Sequence, residues 1–339
     1  MIATLRFLFL FITGTIFSGI LVAQASLSGI YAGHITSSLL EKHLQVIAHD
    51  TMQGRETGTI GQRKTAAYIE ARFSEIGLLT PKGLSGYQQY FSVIRKDTIK
   101  GSNVIGIIEG SDKKDEYVFI TAHYDHLGEE AGEIYNGADD DGSGTSAVIA
   151  MAEAFSKAKA EGNGPRRTLV FMTVSGEEKG LLGSRYYSDN PIYPLNKTSI
   201  DLNIDMIGRV DTERALPDTL NYVYVVGHDK ISSELAAVLE RVNVQSANLT
   251  LDYKFDSPND PQRIFYRSDH YNFAKNGVPV LFFYDGMLLG DYHQPTDDIE
   301  KINWPLFEKR TRLIFHTAWE MANRNDLLIR DLPLPALKR

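Results

Sequence analysis

Three aspartates stand in a row in the stretch Tyr135–Ser146, which reads YNGADDDGSGTS. Neighbouring carboxylates repel one another, so Asp139, Asp140 and Asp141 must either be dispersed in water or be compensated by a cation. One interpretation is a solvated loop in which an aspartate caps the helix predicted to begin near Gly144. Capping uses one acid or two, so the third calls for a further explanation.

Residue types that bind metal ions also follow several predicted strands. The runs FITA, FMTVSG and LNI each lead into acids or histidines, and a later stretch, YHQPTDD, follows the strand-like run VPVLFFYDG. The residues concerned are His123, Asp125, Glu177, Glu178, Asp205 and His293. Because ligands of open α/β sheets bind at the carboxyl ends of strands, we expect these side chains to meet at one site.

A dinuclear zinc centre accounts for this set. Zinc binds histidine nitrogen and carboxylate oxygen, and one carboxylate can bridge two ions that lie roughly 3.5–4 Å apart. We predict that Asp140 is this bridge. His123 and Asp205 would then bind one ion, and Glu178 and His293 the other. Three carboxylates against two divalent ions leave one positive charge, which a metal-bound hydroxide, the nucleophile, would neutralise.

Two acids have predicted roles beside the ligands. Glu177 is predicted to be the general acid/base that takes a proton from the water and passes it to a leaving amine. Asp125 is predicted to orient the imidazole of His123, although a local loop hydrogen bond explains Asp125 equally well. Three other histidines, His126, His228 and His316, are interpreted as ordinary.

A calcium-binding EF-hand loop is an alternative for the aspartate run. Such a loop has acids at its first, third and fifth positions, glycine at the sixth and glutamate at the twelfth. With Gly142 at the sixth position, Gly137 stands first and Val148 twelfth. Both ends fail, which argues against this alternative.

With these residues in place, the sequence resembles the co-catalytic di-zinc exopeptidases, a family of bacterial aminopeptidases whose relatives include glutamate carboxypeptidases and glutaminyl cyclases. The similarity runs from about Leu40 to Met321 and rests on TAHYDHLG, NGADDDGSGTSA, SGEEKGLLGS, IDMIG and YHQPTDD, in that order. It implies the same five zinc ligands and the same acid/base. It also implies a cis peptide bond after Asp140 and a Tyr292 hydroxyl that contacts the oxyanion, although simple packing beside the ligand explains Tyr292 equally well.

The resemblance implies an exported zinc-dependent aminopeptidase that hydrolyses N-terminal residues from peptides. A glutaminyl cyclase-type transferase stays open, although cyclases usually have tryptophan at the position of Tyr292, and so does a non-catalytic binding module of the same fold. A serine hydrolase is disfavoured because the chain has no G-x-S-x-G motif. Asp269 and His270 are expected to support the site, and Gln294 departs from the small hydroxyl residue that many members have after the ligand histidine.

The elements that must position these residues are predicted from the period of the apolar residues. Helical spacing in SLLEKHLQVIAHD, GQRKTAAYIEARFSEIGL and GTSAVIAMAEAFSKAKAEG gives way to, or alternates with, short β-branched runs. This pattern predicts an α/β fold, a three-layer sandwich with a central, mostly parallel (mixed) twisted sheet flanked by helices, like that of the zinc peptidases. One catalytic domain over residues 26–339 is expected, with a helical N-terminal part at about 38–80.

Composition limits the partners and the location. The 339 residues carry a net charge of −8 and no cysteine. An acidic chain without a basic stripe argues against nucleic-acid binding, so peptides are the expected partners, and the oligomeric state stays open. Residues 1–25 combine Arg6, an apolar run and the small-residue stretch AQA, which is typical of a cleaved secretory signal peptide; an uncleaved membrane anchor is the alternative. We expect a secreted or periplasmic protein with no stable membrane span after cleavage.

Overall fold

The computed structural model describes residues 27–215 and 217–334. The predicted signal peptide, residues 1–25, lies outside the described residues. In the described parts of the chain no helix is both long enough and apolar enough to cross a membrane.

After a helical stretch over the described residues 27–32, two longer helices precede the sheet, as the apolar spacing predicts. The first, α1 (Ser37–Ile47), and the second, α2 (Ile60–Glu75), each follow a threonine, Thr36 or Thr59, whose hydroxyl accepts a hydrogen bond from the first turn. This bond satisfies one of the backbone N–H groups that a helix leaves unpaired at its start. The chain leaves α2 through Gly77, whose φ of 76° lies in the left-handed region.

Within the described residues, eight strands form one mixed sheet in the order β1-β2-β6-β3-β7-β10-β8-β9. Their bounds are β1 (Gln88–Ile94), β2 (Thr98–Ile108), β3 (Lys113–His123), β6 (Arg167–Val174), β7 (Thr198–Ile204), β8 (Tyr222–Val226), β9 (Thr250–Asp252) and β10 (Val280–Tyr284). The strands β6, β3, β7 and β10 are neighbours and run parallel. Four parallel strands at the centre therefore bring their carboxyl ends to a single edge.

Helices cover both faces of this sheet. The strands β6, β7, β8 and β10 are therefore buried at every position. The remaining helices are α3 (Gly144–Ala160), α4 (Leu182–Asp189), α5 (Leu235–Gln245), α6 (His270–Ala274) and α7 (Trp304–Asn323). Helices α3 and α7 pack on β3, β6 and β7, while α4 packs on α6 and on the outer strands β1 and β2. The predicted α/β class with a mostly parallel, mixed sheet flanked by helices is confirmed.

Sequence analysis missed the short and peripheral elements. Strand β1 follows the predicted helical part, and β9 has only three residues; both lie at sheet edges, where one-sided burial leaves a weak apolar pattern. A small hairpin of β4 (Gly128–Glu130) and β5 (Glu133–Tyr135) was also missed, as were α4 and α6. None of these elements carries a predicted metal ligand.

A buried arginine connects α7 to the sheet edge. The guanidinium of Arg310 donates to the backbone carbonyls of Tyr222 (2.9 Å), Ile207 (2.9 Å) and Arg209 (2.6 Å). It also lies 3.8 Å from a carboxylate oxygen of Asp285, and both side chains are fully buried. The segment that follows β7 is thereby fixed to the last helix.

We expect Arg310→Met to lower the free energy of unfolding by about 3–5 kcal/mol, because it leaves a buried carboxylate and three carbonyls without their partner. Arg241→Met is the matched control: Arg241 forms an exposed ion pair with Glu320 and should cost less than about 1 kcal/mol. Denaturant unfolding of both variants measures the difference. Equal midpoints would contradict the role given to Arg310.

Candidate metal centre

The structure brings all five predicted ligands together at the carboxyl edge of the parallel strands. His123 is the last residue of β3, and Asp205 directly follows β7. Glu178 lies in the turn after β6, His293 in the loop after β10, and Asp140 in the segment that leads into α3. The site is therefore assembled from residues far apart in the chain by the parallel alignment of their strands.

The five side chains form two groups that share Asp140. In the first group, His123 Nε2 lies 3.2 Å from Asp140 Oδ1 and 3.5 Å from Asp205 Oδ1. In the second, His293 Nε2 lies 3.2 Å both from Asp140 Oδ2 and from Glu178 Oε2. Asp140 thus presents one oxygen to each group. Imidazole nitrogens and carboxylate oxygens at these spacings fit the ligand set that zinc takes in proteins.

His126, interpreted above as ordinary, lies beside the second group. Its Nδ1 is 2.9 Å from Glu178 Oε1 and 3.8 Å from Asp140 Oδ2, and the three residues together could hold a metal ion. The only sequence signal for this placement is the histidine's position three residues after His123 in TAHYDH. That spacing alone does not distinguish a residue at the site from one that follows it in a loop.

The charges of the site are mutually compensated. Burial opposes ionisation of Asp140, but hydrogen bonding to His123 and His293 and the charge of His126 lower its pKa well below the usual range. Burial and the charge of Asp140 act against ionisation of Glu178, yet its contacts with His126 and His293 lower its pKa to about 2. Burial would lower the pKa of His293, whereas Asp140 and Glu178 raise it to about 10. A divalent cation bound here would displace the protons of the histidines.

Glu177 has the opposite property from its neighbour Glu178. Burial raises the pKa of Glu177 well above its usual value, and although His123 opposes the shift, the charges of Glu178, Asp269 and Asp205 add to it. Its side chain lines the same cleft as His123, Asp140, Asp205 and His293. A carboxyl group whose pKa is raised from its usual value toward the working pH can accept a proton in one step and donate it in the next.

Asp125 acts differently from the prediction. His123 Nδ1 lies 3.0 Å from the backbone carbonyl of Asp125, to which it can donate, whereas the nearest carboxylate oxygen of Asp125 is 3.8 Å away. That carboxylate instead accepts from the Thr57 hydroxyl at 2.8 Å and from the Glu177 backbone N–H at 3.2 Å. Asp125 therefore orients the imidazole through its backbone and holds the Glu177 turn through its side chain.

The three consecutive aspartates have three different environments, and all are buried. Asp139 accepts from the N–H of Gly208 at 2.7 Å. Asp141 accepts from the N–H groups of His123, Met206 and, at 2.8 Å, Gly144, the first residue of α3. The capping interpretation thus fits Asp141, while Asp140 alone faces the histidines. The peptide bond between Asp140 and Asp141 is cis, as the resemblance implied.

A second buried arginine, which sequence analysis missed, encloses this segment. Arg55 ends the short 3₁₀ helix Asp50–Arg55 and is fully buried. It donates to backbone carbonyls of Ile47, Tyr124, Asn136, Gly137 and Asp140. A guanidinium has five N–H donors in a fixed plane, so this one side chain can hold the segments before and after β4 and β5 at a set distance.

Asp297, also missed, fixes the bridging aspartate from the other side. One carboxylate oxygen of Asp297 accepts at 3.0 Å from both the Asp139 and the Asp140 N–H groups. Arg209 lies 3.4 Å from the other oxygen of Asp297 and 2.6 Å from Asp291. The loop that carries His293 is thereby connected to the segment that carries Asp140. Within the described residues, the carboxylate of the next acid in the chain, Asp298, accepts a hydrogen bond only from the side chain of Asn136.

The segment FYRSDHYNFAK supplies supporting contacts. Ser268 donates to Asp205 Oδ2 at 2.6 Å and orients that carboxylate. Asp269 accepts from the Ser184 hydroxyl, and burial raises its pKa to about 7. The ring of His270 stacks on Phe282 and its Nε2 lies 2.9 Å from the Phe265 carbonyl, so it does not face the metal groups. The other two histidines lie elsewhere, His228 against Asp256 and His316 against Ser28.

An open cleft lies over the ligands and Glu177. Its lining also includes a set of mostly apolar side chains, here called the apolar wall: Met206, Ile264, Phe282, Tyr284 and Leu288. Tyr292 borders the cleft, with its ring stacked on that of His293 and its hydroxyl accepting from Arg267 at 3.1 Å. Burial raises the pKa of Tyr292, so its hydroxyl keeps its proton. The cleft thus combines a metal-binding floor with an apolar wall.

An α/β sheet that carries two histidine–carboxylate groups around one aspartate has the construction of a metallopeptidase. Residues 103–318 match the model of peptidase family M28, and the chain belongs to this family. The family resemblance stated from the sequence is confirmed.

Individual relatives agree with this assignment. Aminopeptidase YwaD of Bacillus subtilis is 28% identical over 240 residues, which are 66% of this chain and 45% of that protein. BSAP, a zinc aminopeptidase from Bacillus subtilis, has a TM-score of 0.64 at 16% identity and covers 88% of this chain and 99% of its own. Porphyromonas gingivalis glutaminyl cyclase has a TM-score of 0.63 at 18% identity, and the match covers 83% of this chain and 97% of the cyclase chain. The two structures show the fold, and the chain spans 41–60% of the length of its first curated relatives.

We expect Asp297→Ala to weaken zinc binding by roughly 10- to 100-fold, because it releases the backbone that aims Asp140. The neighbouring Asp298→Ala removes an acid of the same type from the same loop and should leave the affinity unchanged. Competition with a chromophoric chelator measures both. Equal affinities for the two variants would show that Asp297 does not position the bridging carboxylate.

Proposed function

We propose that the protein is an exported zinc-dependent aminopeptidase that removes N-terminal residues from peptides. The observation that carries the proposal is the placement of Asp140, whose two oxygens each lie 3.2 Å from the Nε2 atom of a different histidine. A carboxylate placed in this way can serve two divalent ions at once. Family membership and the names of the aminopeptidase relatives support the same activity.

The ligands divide between two ions. His123 and Asp205 would hold one, Glu178 and His293 the other, and Asp140 both. Two bound zinc ions would polarise the scissile carbonyl and lower the pKa of water toward neutrality. The remaining steps belong to side chains of this chain.

Glu177 moves the proton. It takes one from the attacking water and delivers it to the nitrogen of the leaving amine, and its raised pKa suits a group that must be protonated in the second step. Tyr292, whose hydroxyl retains its hydrogen, donates to the carbonyl oxygen as that oxygen becomes negative. Arg267 holds the hydroxyl oxygen of Tyr292 in place from the solvent side.

The cleft suggests how a substrate would lie. The free amino group of the substrate would approach the carboxylates of the floor, where a positive charge is favoured. The first side chain would then contact the apolar wall, of which Phe282 and Ile264 are buried members. We therefore propose peptides with an apolar N-terminal residue as the preferred substrates. Residues 1–25 would direct the chain to the periplasm or the medium and be removed there.

Glu177→Gln should retain zinc and lose about 10²- to 10⁴-fold in kcat, since glutamine keeps the shape of glutamate but cannot carry the proton. Glu178→Gln, the matched change one residue along, should instead lose zinc from the site. Metal analysis and turnover of an aminoacyl chromogenic substrate separate the two effects. Undiminished kcat in the Glu177 variant would remove Glu177 from the mechanism.

The activity itself is tested with a pool of peptides, half with free and half with acetylated N-termini, exposed to the zinc-loaded protein that lacks residues 1–25. We expect stepwise loss of residues from the free N-termini only, fastest where the first residue is apolar. Loss of ammonia from N-terminal glutamine without cleavage would indicate a cyclase instead. No change in either half would refute both activities and leave a binding role.

A further inference from the structure

His126 is a buried histidine without a conventional partner. Its side chain has no exposed surface, and neither ring nitrogen makes a hydrogen bond within the described part of the chain. The ring lies against the backbone of Gly137, where a Cβ atom would come within 2.5 Å of it. Buried polar groups are nearly always hydrogen-bonded, because leaving one unpaired costs about 1–3 kcal/mol. The position of this ring therefore needs another explanation.

The atoms next to His126 are those of the second metal group. Nδ1 lies 2.9 Å from Glu178 Oε1, a hydrogen-bonding distance, yet both atoms lack a hydrogen-bond partner because they are not aligned with each other. Two electron-pair donors that lie side by side in this way can share a cation in front of them. Atoms that bind one zinc ion at roughly 2.0–2.2 Å are themselves about 3 Å apart where the angle at the metal is near 90°, and about 3.4 Å apart where it is tetrahedral.

The carboxylate of Glu178 stands between two histidines. Its Oε1 faces His126 Nδ1, and its Oε2 lies 3.2 Å from His293 Nε2. The two imidazole rings are 5.8 Å apart, centre to centre, and inclined at 70°. Asp140 Oδ2 lies 3.2 Å from His293 Nε2 and 3.8 Å from His126 Nδ1, so this oxygen is close to both histidines.

We propose that His126 is a sixth protein ligand of the centre and binds the second ion through Nδ1. The proposal rests on the two-ion site of the proposed function and adds a residue to it. The second ion then has four protein residues, His126, Asp140, Glu178 and His293. The first ion keeps three, His123, Asp140 and Asp205. This inequality predicts that the second ion is retained when a chelator has already removed the first.

A simpler role for His126 is to donate a hydrogen bond from Nδ1 to Glu178 Oε1 and so orient the ligand. His126→Asn separates the two possibilities, because the amide nitrogen of asparagine replaces Nδ1 as a donor but binds divalent ions poorly. If Nδ1 is a ligand, the affinity for the second ion should fall at least roughly 100-fold. Loss of a residue that only hydrogen-bonds to a metal ligand already lowers metal affinity about 10- to 100-fold. If Nδ1 only donates, the variant keeps both ions.

The experiment is a titration of the full mature chain, stripped of metal, with Zn²⁺ against a chromophoric chelator and with Co²⁺ followed by visible absorption. His126→Asn should bind one ion with native affinity and the other at least 100-fold more weakly, and its Co²⁺ spectrum should change. The control is His316→Asn, at a half-buried histidine remote from the metal groups, and this variant should behave like the unaltered protein. Native affinity for both ions and an unaltered spectrum in His126→Asn would overturn the proposal.

A measurement on the unaltered protein does not depend on whether the variant folds. In the Co²⁺ protein, each ligating imidazole contributes one strongly shifted, exchangeable N–H resonance to the proton spectrum. Three such resonances are expected, and two would overturn the role of His126. If the unaltered chain binds fewer than two ions, the two-ion site of the proposed function is wrong. If it binds two ions but shows only two resonances, only the role of His126 as a sixth ligand is wrong.

Discussion

The structure depends on the burial of several carboxylates at one edge of the sheet. Ionised acids lose several kcal/mol of hydration each when they leave water, and neighbours of like sign add repulsion. The fold reduces this cost with what lies at the ends of parallel strands: unpaired backbone N–H groups and the start of a helix. Asp141 takes three such N–H groups, from β3, from the segment after β7 and from α3. One carboxylate therefore fastens three elements around the ligands.

Two buried arginines supply positive charge near these acids. Arg55 donates to backbone carbonyls of segments that precede the aspartates, and Arg310 donates to carbonyls that follow β7. Each brings a positive charge close to buried acids, and each contacts backbone oxygen, which is the same in any sequence. The position of Asp140 is consequently set by residues that do not touch a metal. Asp297, which holds the Asp140 N–H, adds the loop of His293 to the same unit.

The sequence predicts the parts that are local or chemically distinctive. The strands β3, β6, β7 and β10 contain runs or alternations of apolar residues that were recognisable, and the acids and histidines that follow them lie together at one edge of the sheet. Arg55 and Asp297 were missed because most of the backbone groups that they contact are remote in the sequence: 69 residues away for Arg55 and Tyr124, and 157 for Asp297 and Asp140. His126 was missed because a side chain three residues after a strand can point to the site or away from it.

Neighbouring acids at this site differ through environment alone. Of the aspartates, burial raises the pKa of Asp139 and Asp141 well above the usual range, while the histidines lower that of Asp140. Of the glutamates, Glu178 faces the histidines and its pKa is lowered, while Glu177 faces the cleft and its pKa is raised. The same pattern appears twice: contact with imidazole lowers the pKa of one acid, which favours the charged form that binds a cation, and burial raises the pKa of the acid beside it. Two glutamates in sequence can therefore supply a metal ligand and a proton carrier without any difference in residue type.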